Sequence, residues 1–229
     1  MRIFICIQCR LSSKRLPEKV LKIVDQKPLI SYLIDSLKKT TLENFVYVLT
    51  SKSTTDEKLI DYCKKNNIKY FTGSLHNVYQ RFEDFSKENN ADAVIRLSGD
   101  SPLIDFKLIN KFINLAKSSK KHDLITNIFP RTFPSGQSVE VIFKTAFKKV
   151  IKKDMSLQNK EHVTSYFYEN SKKFSILNIL CPYKHKFPKL SIDTPKDFDK
   201  FGRFVKSSKN KDWEISQIIK TWQEFVEAN

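Results

Sequence analysis

The sequence predicts an α/β fold in which a mainly parallel sheet is covered by helices on both faces. Four short apolar runs in the first 100 residues have the composition of buried strands, and segments with helical spacing separate them. This alternation is typical of βαβ units. With 229 residues, 40% hydrophobic residues and 18 Phe, the chain can build a large core, and we expect a single domain over residues 1–229.

The first half provides the regular part of this prediction. Buried strands are predicted at 2–8, 45–50, 68–71 and 91–97. Helices are predicted at 28–37, 55–66, 78–89 and 105–118. Pro28 is suited to a first helical position, and Asp105 to an N-cap. The polar loops that follow these strands are expected to meet at one edge of the sheet, where such folds bind ligands.

The second half is less regular. Strands are predicted at 124–126, 138–143, 174–180 and 190–192, and helices at 145–152, 160–171, 195–206 and about 212–227. Thr194, Pro195 and Asp197 form a normal helix start, with an N-cap, a first-turn proline and an acidic third position.

Charge and composition limit the classes of function. The net charge is +16, but only seven of the 41 basic residues are Arg, so the excess is a lysine excess. A solvated Lys-rich surface explains it, and a polyanion-binding face is the alternative; we expect no specific nucleic acid partner. No apolar run reaches the ~20 residues of a membrane span, and no signal sequence is evident, so we expect a cytoplasmic protein. The four cysteines form no CxxC pair, which gives no support to a zinc site.

A basic loop follows the first predicted strand, with the sequence QCRLSSKRLPEK over residues 8–19. Arginine forks, lysine ammonium groups, hydroxyls and backbone N–H groups can together surround a triphosphate. The loop is neither a GxxxxGK[ST] phosphate loop nor a GxGxxG dinucleotide turn. An ordinary basic surface loop remains the alternative on these residues alone.

Two acidic residues are candidates for a metal site. Asp100 follows Gly99 at the end of a predicted strand, and Asp193 precedes the helix start described above without a capping role. Two carboxylates at the ends of strands can share one Mg²⁺. Turn chemistry is the alternative for Asp100, since Gly-Asp-Ser-Pro is also a good loop sequence.

Seven segments, taken in order, resemble the cytidylyltransferases of the spore-coat polysaccharide (SpsF-like) family, which are related to the CMP-sialic acid and CMP-Kdo synthetases. The segments, which lie within residues 3–205, are IQCRLSSKRLPEKVL, KPLI, TGSLHNVYQRF, RLSGDSPLID, NIFPRTFPSGQSVEV, EHVT and LSIDTPKDFD. The resemblance implies a Rossmann-like mixed sheet of the nucleotide-diphospho-sugar transferase (GT-A-like) type. It also implies transfer of CMP from CTP to a sugar or sugar acid, with Mg²⁺ as cofactor and release of pyrophosphate, for surface glycan synthesis.

The resemblance also assigns roles to individual residues. Catalytic roles fall on the loop cations and the two carboxylates: Arg10, Arg15, Lys19, Asp100 and Asp193. The last two match the metal ligands. Arg10, Ser13, Arg15 and Lys19 match triphosphate ligands, and Gln8 and Arg81 look like base or ribose contacts. Gly73, Ser98 and Asp100 complete the nucleotide side, and the acceptor side matches Arg131, Glu140 and His162.

Two departures from the family pattern concern the basic loop. Ser12 and Glu18 stand where the family usually has glycine, which restricts the loop backbone and suggests slower turnover or a differently ordered loop.

Family members commonly pair, and apolar clusters at 128–133 and 143–147 favour a homodimer. The alternatives are a nucleotidyltransferase for another nucleotide or a non-sugar acceptor, a glycosyltransferase, and a polyanion-binding protein. A glycosyltransferase should carry a DxD at a strand end, and no predicted strand of this chain ends in one.

Overall fold

The computed structural model describes residues 1–119, 121–183, 188–208 and 214–227, apart from the side chains of 223, 226 and 227. The strands are β1 (Ile3–Gln8), β2 (Ile23–Val24), β3 (Lys27–Pro28), β4 (Val46–Ser51), β5 (Tyr70–Gly73), β6 (Ala93–Ser98), β7 (Leu124–Thr126), β8 (Glu140–Phe143) and β9 (Ile176–Asn178). The helices are α1 (Leu29–Leu37), α2 (Glu57–Lys65), α3 (Val78–Glu88), α4 (Phe106–Ser118), α5 (Lys144–Lys149), α6 (Leu157–Glu161), α7 (Ser165–Glu169), α8 (Pro195–Ser207) and α9 (Ile215–Glu227).

Seven of these strands form one mixed sheet in the order β5-β4-β1-β6-β8-β7-β9. The strands β5, β4, β1 and β6 run parallel, β8 is antiparallel to both β6 and β7, and β9 is parallel to β7. The predicted fold class is therefore confirmed, and its mixed character comes from β8 alone. The carboxyl ends of β1, β4, β5 and β6 all lie at one edge of the sheet.

Alternate residues of β1 fill the cores on the two sides of the sheet. Ile3, Ile5 and Ile7 pack with residues of α1, α2 and α4, whereas Phe4 and Cys6 pack with α3 and α7. A strand with both faces buried has no polar alternation, which is why its sequence is a continuous apolar run. A third cluster joins α1 to α8 and α9, and in it Tyr32 contacts Phe201 edge to face.

Several predicted elements match closely. Asp105 caps α4 by accepting a hydrogen bond from the backbone N–H of Lys107, and Thr194 and Asp197 form a reciprocal capping box at the start of α8. The first four predicted strands and their helices are all present, with ends shifted by at most two residues. The predicted strands at 138–143 and 174–180 are shorter, and the predicted helix at 145–152 ends at Lys149. Residues 212–213 of the predicted last helix lie outside the described residues.

Two predictions are wrong. The helix predicted at 160–171 is split into α6 and α7. The N–H of His162 still donates to the carbonyl of Gln158, but the backbone of His162 is not helical. This change of direction buries Val163 in the core. The segment predicted as a strand at 190–192 is not part of the sheet. Single backbone hydrogen bonds hold it instead, from Leu190 to Ser135 and from Ile192 to Asp100.

The β2–β3 hairpin was not predicted. Its two turn residues, Asp25 and Gln26, have φ angles of 45° and 70°, as the usual two-residue hairpin turn requires. No Asn-Gly or Asp-Gly pair marks this turn in the sequence. None of the helices in the described parts of the chain is both long and apolar enough to cross a bilayer.

Candidate active site

The basic loop after β1 folds back on itself at the carboxyl edge of the sheet. The carbonyl of Leu11 accepts hydrogen bonds from the N–H groups of Ser13 and Glu18, at 2.9 and 3.0 Å. Glu18 has a left-handed backbone (φ 54°, ψ 21°), the conformation that glycine adopts without strain. Its carboxylate lies 2.6 Å from Lys58 of α2. The departure from glycine is therefore accommodated through a strained backbone and a surface ion pair.

The two predicted metal ligands meet at one ammonium group. Lys19 Nζ lies 2.7 Å from Asp100 Oδ2, 3.5 Å from Asp193 Oδ1 and 2.9 Å from the carbonyl oxygen of Ile192. The three charged side chains are each about four-fifths buried or more. Asp100 follows β6 and Asp193 precedes α8, so the fold brings together residues from distant parts of the chain.

Asp193 is surrounded by cations. Arg15 Nη2 lies 3.1 Å from its Oδ1, and Lys189 Nζ lies 3.0 Å from its Oδ2. Burial favours the protonated form, but the hydrogen bond from Lys189 and the charges of Lys19 and Arg15 outweigh it and lower the pKa of Asp193. The carboxylate is therefore ionised at neutral pH. Sequence reasoning missed Lys189, which also bonds Asp197 at 2.7 Å.

This arrangement fits a magnesium ion. Mg²⁺ prefers oxygen ligands and commonly binds to proteins through one or two carboxylates, with water and substrate phosphates completing its coordination. Asp100 and Asp193 already share one cationic nitrogen, so both can reach one cation. Among the described residues, no group of three or more His, Cys, Asp or Glu side chains could hold a metal. A metal here would depend on the substrate for its other ligands.

Arg10 lies apart from this acidic pair. Its Nη2 is 2.7 Å from Glu161 Oε1 at the end of α6, and both side chains are partly exposed. Ser13, at the half-buried turn of the loop, uses its N–H within the loop. Of the predicted triphosphate ligands, Arg15 and Lys19 therefore contact the carboxylates, while Arg10 reaches toward the α6 side.

Gln8 belongs to a buried polar chain that the sequence did not reveal. Arg96 Nε donates to Gln8 Oε1 at 2.8 Å, and Arg96 Nη1 donates to Glu140 Oε2. The hydroxyl of Tyr168 donates to the other oxygen of Glu140. Burial and the Glu140 carboxylate raise the pKa of Tyr168 far above its usual range, so it remains a donor. The rarity of Arg in this chain was the signal that could have singled out Arg96.

Arg81 is buried, with 1% of its surface exposed, and its guanidinium bonds backbone carbonyls. Nε donates to Ser74 at 3.2 Å and Nη1 to Leu49 at 3.3 Å. Burial lowers its pKa to about 10, against the opposing effect of the Asp56 charge. A Cβ on Gly73 would lie 2.8 Å from Arg81 Cγ, so only glycine fits there. These two residues shape the end of β5 rather than presenting a free guanidinium.

Asp56, which sequence reasoning missed, anchors the basic loop. Its buried carboxylate accepts hydrogen bonds from the N–H of Leu11 at 2.7 Å and from the hydroxyl of Thr50 and the N–H of Ser51, at 3.0 and 3.1 Å. A buried carboxylate is stable only when such donors compensate its charge. Asp56 therefore fixes the start of the loop to the end of β4.

The predicted acceptor residues are dispersed. Glu140 is fully buried in the polar chain, whereas Arg131 is exposed and donates to Ser138 Oγ at 3.0 Å. His162 is exposed at the end of α6, next to Glu161. Ser98 ends β6 and accepts the N–H of Ser101 through its carbonyl. All four lie toward the same edge of the sheet, but no described contact joins the first three to the Asp100–Asp193 pair.

A family model described as "Cytidylyltransferase" matches residues 4–221. The chain belongs to the cytidylyltransferase family. It is therefore a CTP-dependent nucleotidyltransferase, which confirms the enzyme class that the sequence predicted and decides against a glycosyltransferase.

Individual relatives support this membership. Uncharacterized protein MJ1063 of Methanocaldococcus jannaschii is 32% identical over 232 residues, covering 100% of this chain and 92% of the relative. The spore coat polysaccharide biosynthesis protein SpsF of Bacillus subtilis is 26% identical over 227 residues, covering 95% and 92%. The predicted resemblance to SpsF-like proteins is thereby confirmed.

Solved structures show the same fold. A cytidylyltransferase from Leptospira borgpetersenii serovar Hardjo-bovis superposes with a TM-score of 0.92 at 28% identity, covering 99% of this chain and 96% of that one. A CMP:2-keto-3-deoxy-manno-octonic acid synthetase complexed with CTP superposes with a TM-score of 0.68 at 13% identity, covering 90% and 99%. The second likeness is one of fold.

Proposed function

We propose that this cytidylyltransferase uses Mg²⁺ and makes a CMP-activated sugar or sugar acid for surface polysaccharide synthesis. The observation that carries the proposal is the joint contact of Asp100 and Asp193 with Lys19, at the sheet edge where the basic loop ends. The name of one relative supports the substrate class, since SpsF acts in spore coat polysaccharide biosynthesis.

In the proposed reaction, a hydroxyl of the acceptor attacks the α-phosphorus of CTP, and pyrophosphate leaves in line. The protein forms no covalent bond, so its contribution is positioning and charge neutralisation. Asp100 and Asp193 would hold Mg²⁺, which supplies charge neutralisation at the phosphate oxygens. Arg15 and Lys19 lie beside these carboxylates and would stabilise the leaving pyrophosphate, with Arg10 reaching it from the α6 side.

We propose a cytoplasmic homodimer as the working form. The apolar clusters at 128–133 and 143–147, which predict a dimer interface, lie largely inside the chain. Phe133, Phe143 and Phe147 are all buried. Phe129, Leu180 and Tyr183 remain 38–59% exposed and are available to a partner. Light scattering at micromolar concentration should give twice the chain mass of 26.9 kDa. A monomer mass would remove this part of the proposal.

The function is tested by a pyrophosphate-release screen. CTP, UTP, GTP and ATP are each incubated with a panel of sugars and sugar acids, with Mg²⁺ or with EDTA, and products are identified by mass spectrometry. We expect a CMP-linked product from CTP with one acceptor class, and none in EDTA. Turnover with CTP that persists in EDTA would contradict the metal assignment. A product formed only with a non-sugar acceptor would contradict the substrate class.

A further inference from the structure

Gln8 stands at the point where the sheet meets the nucleotide site. It is the last residue of β1, it pairs with Ser98 across the sheet, and its carbonyl accepts the N–H of Gly99, the residue before Asp100. Its side chain is half-buried and lies on the same face of β1 as Phe4 and Cys6, the face covered by α3 and α7. The backbone of Gln8 therefore lies beside the turn that carries Asp100.

The orientation of its amide is fixed by chemistry. A guanidinium can only donate hydrogen bonds, so the Gln8 atom 2.8 Å from Arg96 Nε is the carbonyl Oε1. The remaining Nε2 carries two N–H donors, and no described residue accepts a bond from it. The Gln8 amide thus offers two N–H donors to a ligand at the strand end.

Arg96 cannot easily turn away from Gln8. It lies directly opposite Glu140 in the β6–β8 pairing, and its side chain is 17% exposed against 1% for Glu140. The second oxygen of Glu140 is taken by the hydroxyl of Tyr168, on which Phe129 stacks at 4.7 Å between ring centroids. Rotating Arg96 would leave the buried Glu140 charge uncompensated, which is strongly unfavourable.

We propose that Arg96 is a positioning residue that locks the Gln8 amide with its NH₂ group toward the nucleotide, so that Gln8 selects cytosine over uracil. Ring nitrogen N3 of cytosine accepts a hydrogen bond, whereas N3 of uracil carries a hydrogen and needs an acceptor. The Gln8 NH₂ group, held in this orientation, can donate to N3 of cytosine but repels the N3–H of uracil. This inference rests on the proposed placement of CTP at this edge, and it gives Glu140 a supporting role instead of a contact with the acceptor.

The test compares the affinities of the full-length protein for CTP and UTP, as the ratio of their dissociation constants measured by calorimetry. In Gln8→Glu the shape and the Arg96 contact are retained, but the outward donor becomes an acceptor. We expect the preference for CTP to fall by about tenfold or more, the usual size for a mismatched hydrogen bond in a buried site. Repulsion between the new carboxylate and the phosphates affects both nucleotides equally, so it cancels in the ratio.

Arg96→Lys is the second variant. Lysine keeps a positive charge for Glu140 but lacks the rigid fork that reaches two partners. The freed amide can turn its oxygen outward, so the CTP preference should fall severalfold while the melting temperature changes little. In Gln8→Met, which neither donates nor accepts, both nucleotides should bind weakly and with similar affinity.

The outcomes separate the inference from the proposed function. A wild-type protein that does not bind CTP would contradict both. A wild type that prefers CTP, with the same preference in Gln8→Glu and Arg96→Lys, would overturn only the inference, because Gln8 and Arg96 would then serve the structure alone. A reduced preference in both variants, with unchanged melting temperatures, would support it.

Discussion

The guanidinium of Arg10 lies 2.7 Å from the carboxylate of Glu161, although 151 positions separate the two residues in the sequence. The contact joins the basic loop to the end of α6, and both side chains are 38–48% exposed. If the triphosphate binds Arg10 as proposed, Glu161 competes with it for this guanidinium.

Glu161→Gln should consequently strengthen CTP binding. An exposed ion pair contributes about 0.2–1 kcal/mol, so we expect the dissociation constant to fall by up to about fivefold at low salt. Calorimetric titration with CTP measures it. In an Arg10→Ala background the same substitution should have no effect, since the competition no longer exists.

Glu88→Gln is the matched control for this prediction. It makes the same change of net charge at an exposed position, the last residue of α3. This position lies near the amino end of β6, at the edge of the sheet opposite to the candidate site. CTP affinity should be unchanged in this variant. Equal gains in Glu161→Gln and Glu88→Gln would show that general charge, and not the Arg10 contact, determines the effect.

The acidic pair gives the second prediction. Asp100→Asn and Asp193→Asn should each reduce turnover more than tenfold, which corresponds to ~1.4 kcal/mol of transition-state stabilisation, because each removes a charge from the proposed metal site. The fold should survive, since Lys19 keeps the Ile192 carbonyl and one carboxylate in either variant. Pyrophosphate release at increasing Mg²⁺ concentrations, with circular dichroism, checks both points.

Asp197→Asn is the control for these two variants. Asp197 shares Lys189 with Asp193, but its carboxylate caps α8 by accepting the N–H of Thr194 at 2.9 Å. Its substitution should lower stability by about 1 kcal/mol and leave the magnesium dependence of turnover intact. If Asp100→Asn or Asp193→Asn retained more than a tenth of wild-type turnover, that residue would not be a metal ligand.

Two neighbouring cations of the basic loop provide the third prediction. Arg15 contacts Asp193 at 3.1 Å, whereas Lys14 is exposed and has no role in the family pattern. Arg15→Ala should weaken CTP binding about tenfold, since a charge-assisted hydrogen bond contributes roughly 1.5–3 kcal/mol. Lys14→Ala should change it less than about twofold. Equal effects would mean that only the overall loop charge is important.

The left-handed residue of the loop gives the fourth prediction. Glu18→Gly and Glu18→Ala both lose the ion pair with Lys58, but only glycine relieves the positive φ of 54°. The glycine variant should therefore be more stable than the alanine variant by about 1 kcal/mol, as measured by urea unfolding. Equal stabilities would show that the loop relaxes the strain elsewhere.

The fold could largely be predicted because its signals are local. Buried parallel strands are continuous apolar runs, and the caps Asp105 and Thr194 mark helix starts within three residues. The break between α6 and α7 has no such signal, since Val163, Tyr166 and Phe167 have helical spacing within the predicted helix. The conformation at His162 follows from packing against the rest of the molecule, which the local sequence does not contain.

The same distinction applies to the site. Asp100 and Asp193 could be identified because each lies at the end of an apolar run, and Asp193 has no capping task. The partners of Arg96 and Asp56 could not be predicted, because only the fold defines them: Glu140 is 44 positions from Arg96, and Leu11 is 45 from Asp56. Arg96 contacts Gln8 and Asp56 contacts the basic loop, so both act on the candidate site through other residues.

The net charge of +16 leads to the last prediction, which compares two polyanions. Many lysines are exposed and already paired, as Lys58 is with Glu18, so duplex DNA should meet a dispersed charge and bind through counterion release. DNA affinity should fall by orders of magnitude between about 50 and 200 mM salt. Binding of Mg²⁺ and CTP should weaken far less, because Lys19 is only 13% exposed and acts at contact distance, inside the Debye length of ~8–10 Å.

Fluorescence anisotropy with labelled DNA and calorimetry with CTP, each at both salt concentrations, measure the two responses. Nanomolar DNA binding at ~0.15 M salt, together with loss of CTP binding in the same range, would show that the surface charge is organised as a nucleic acid site.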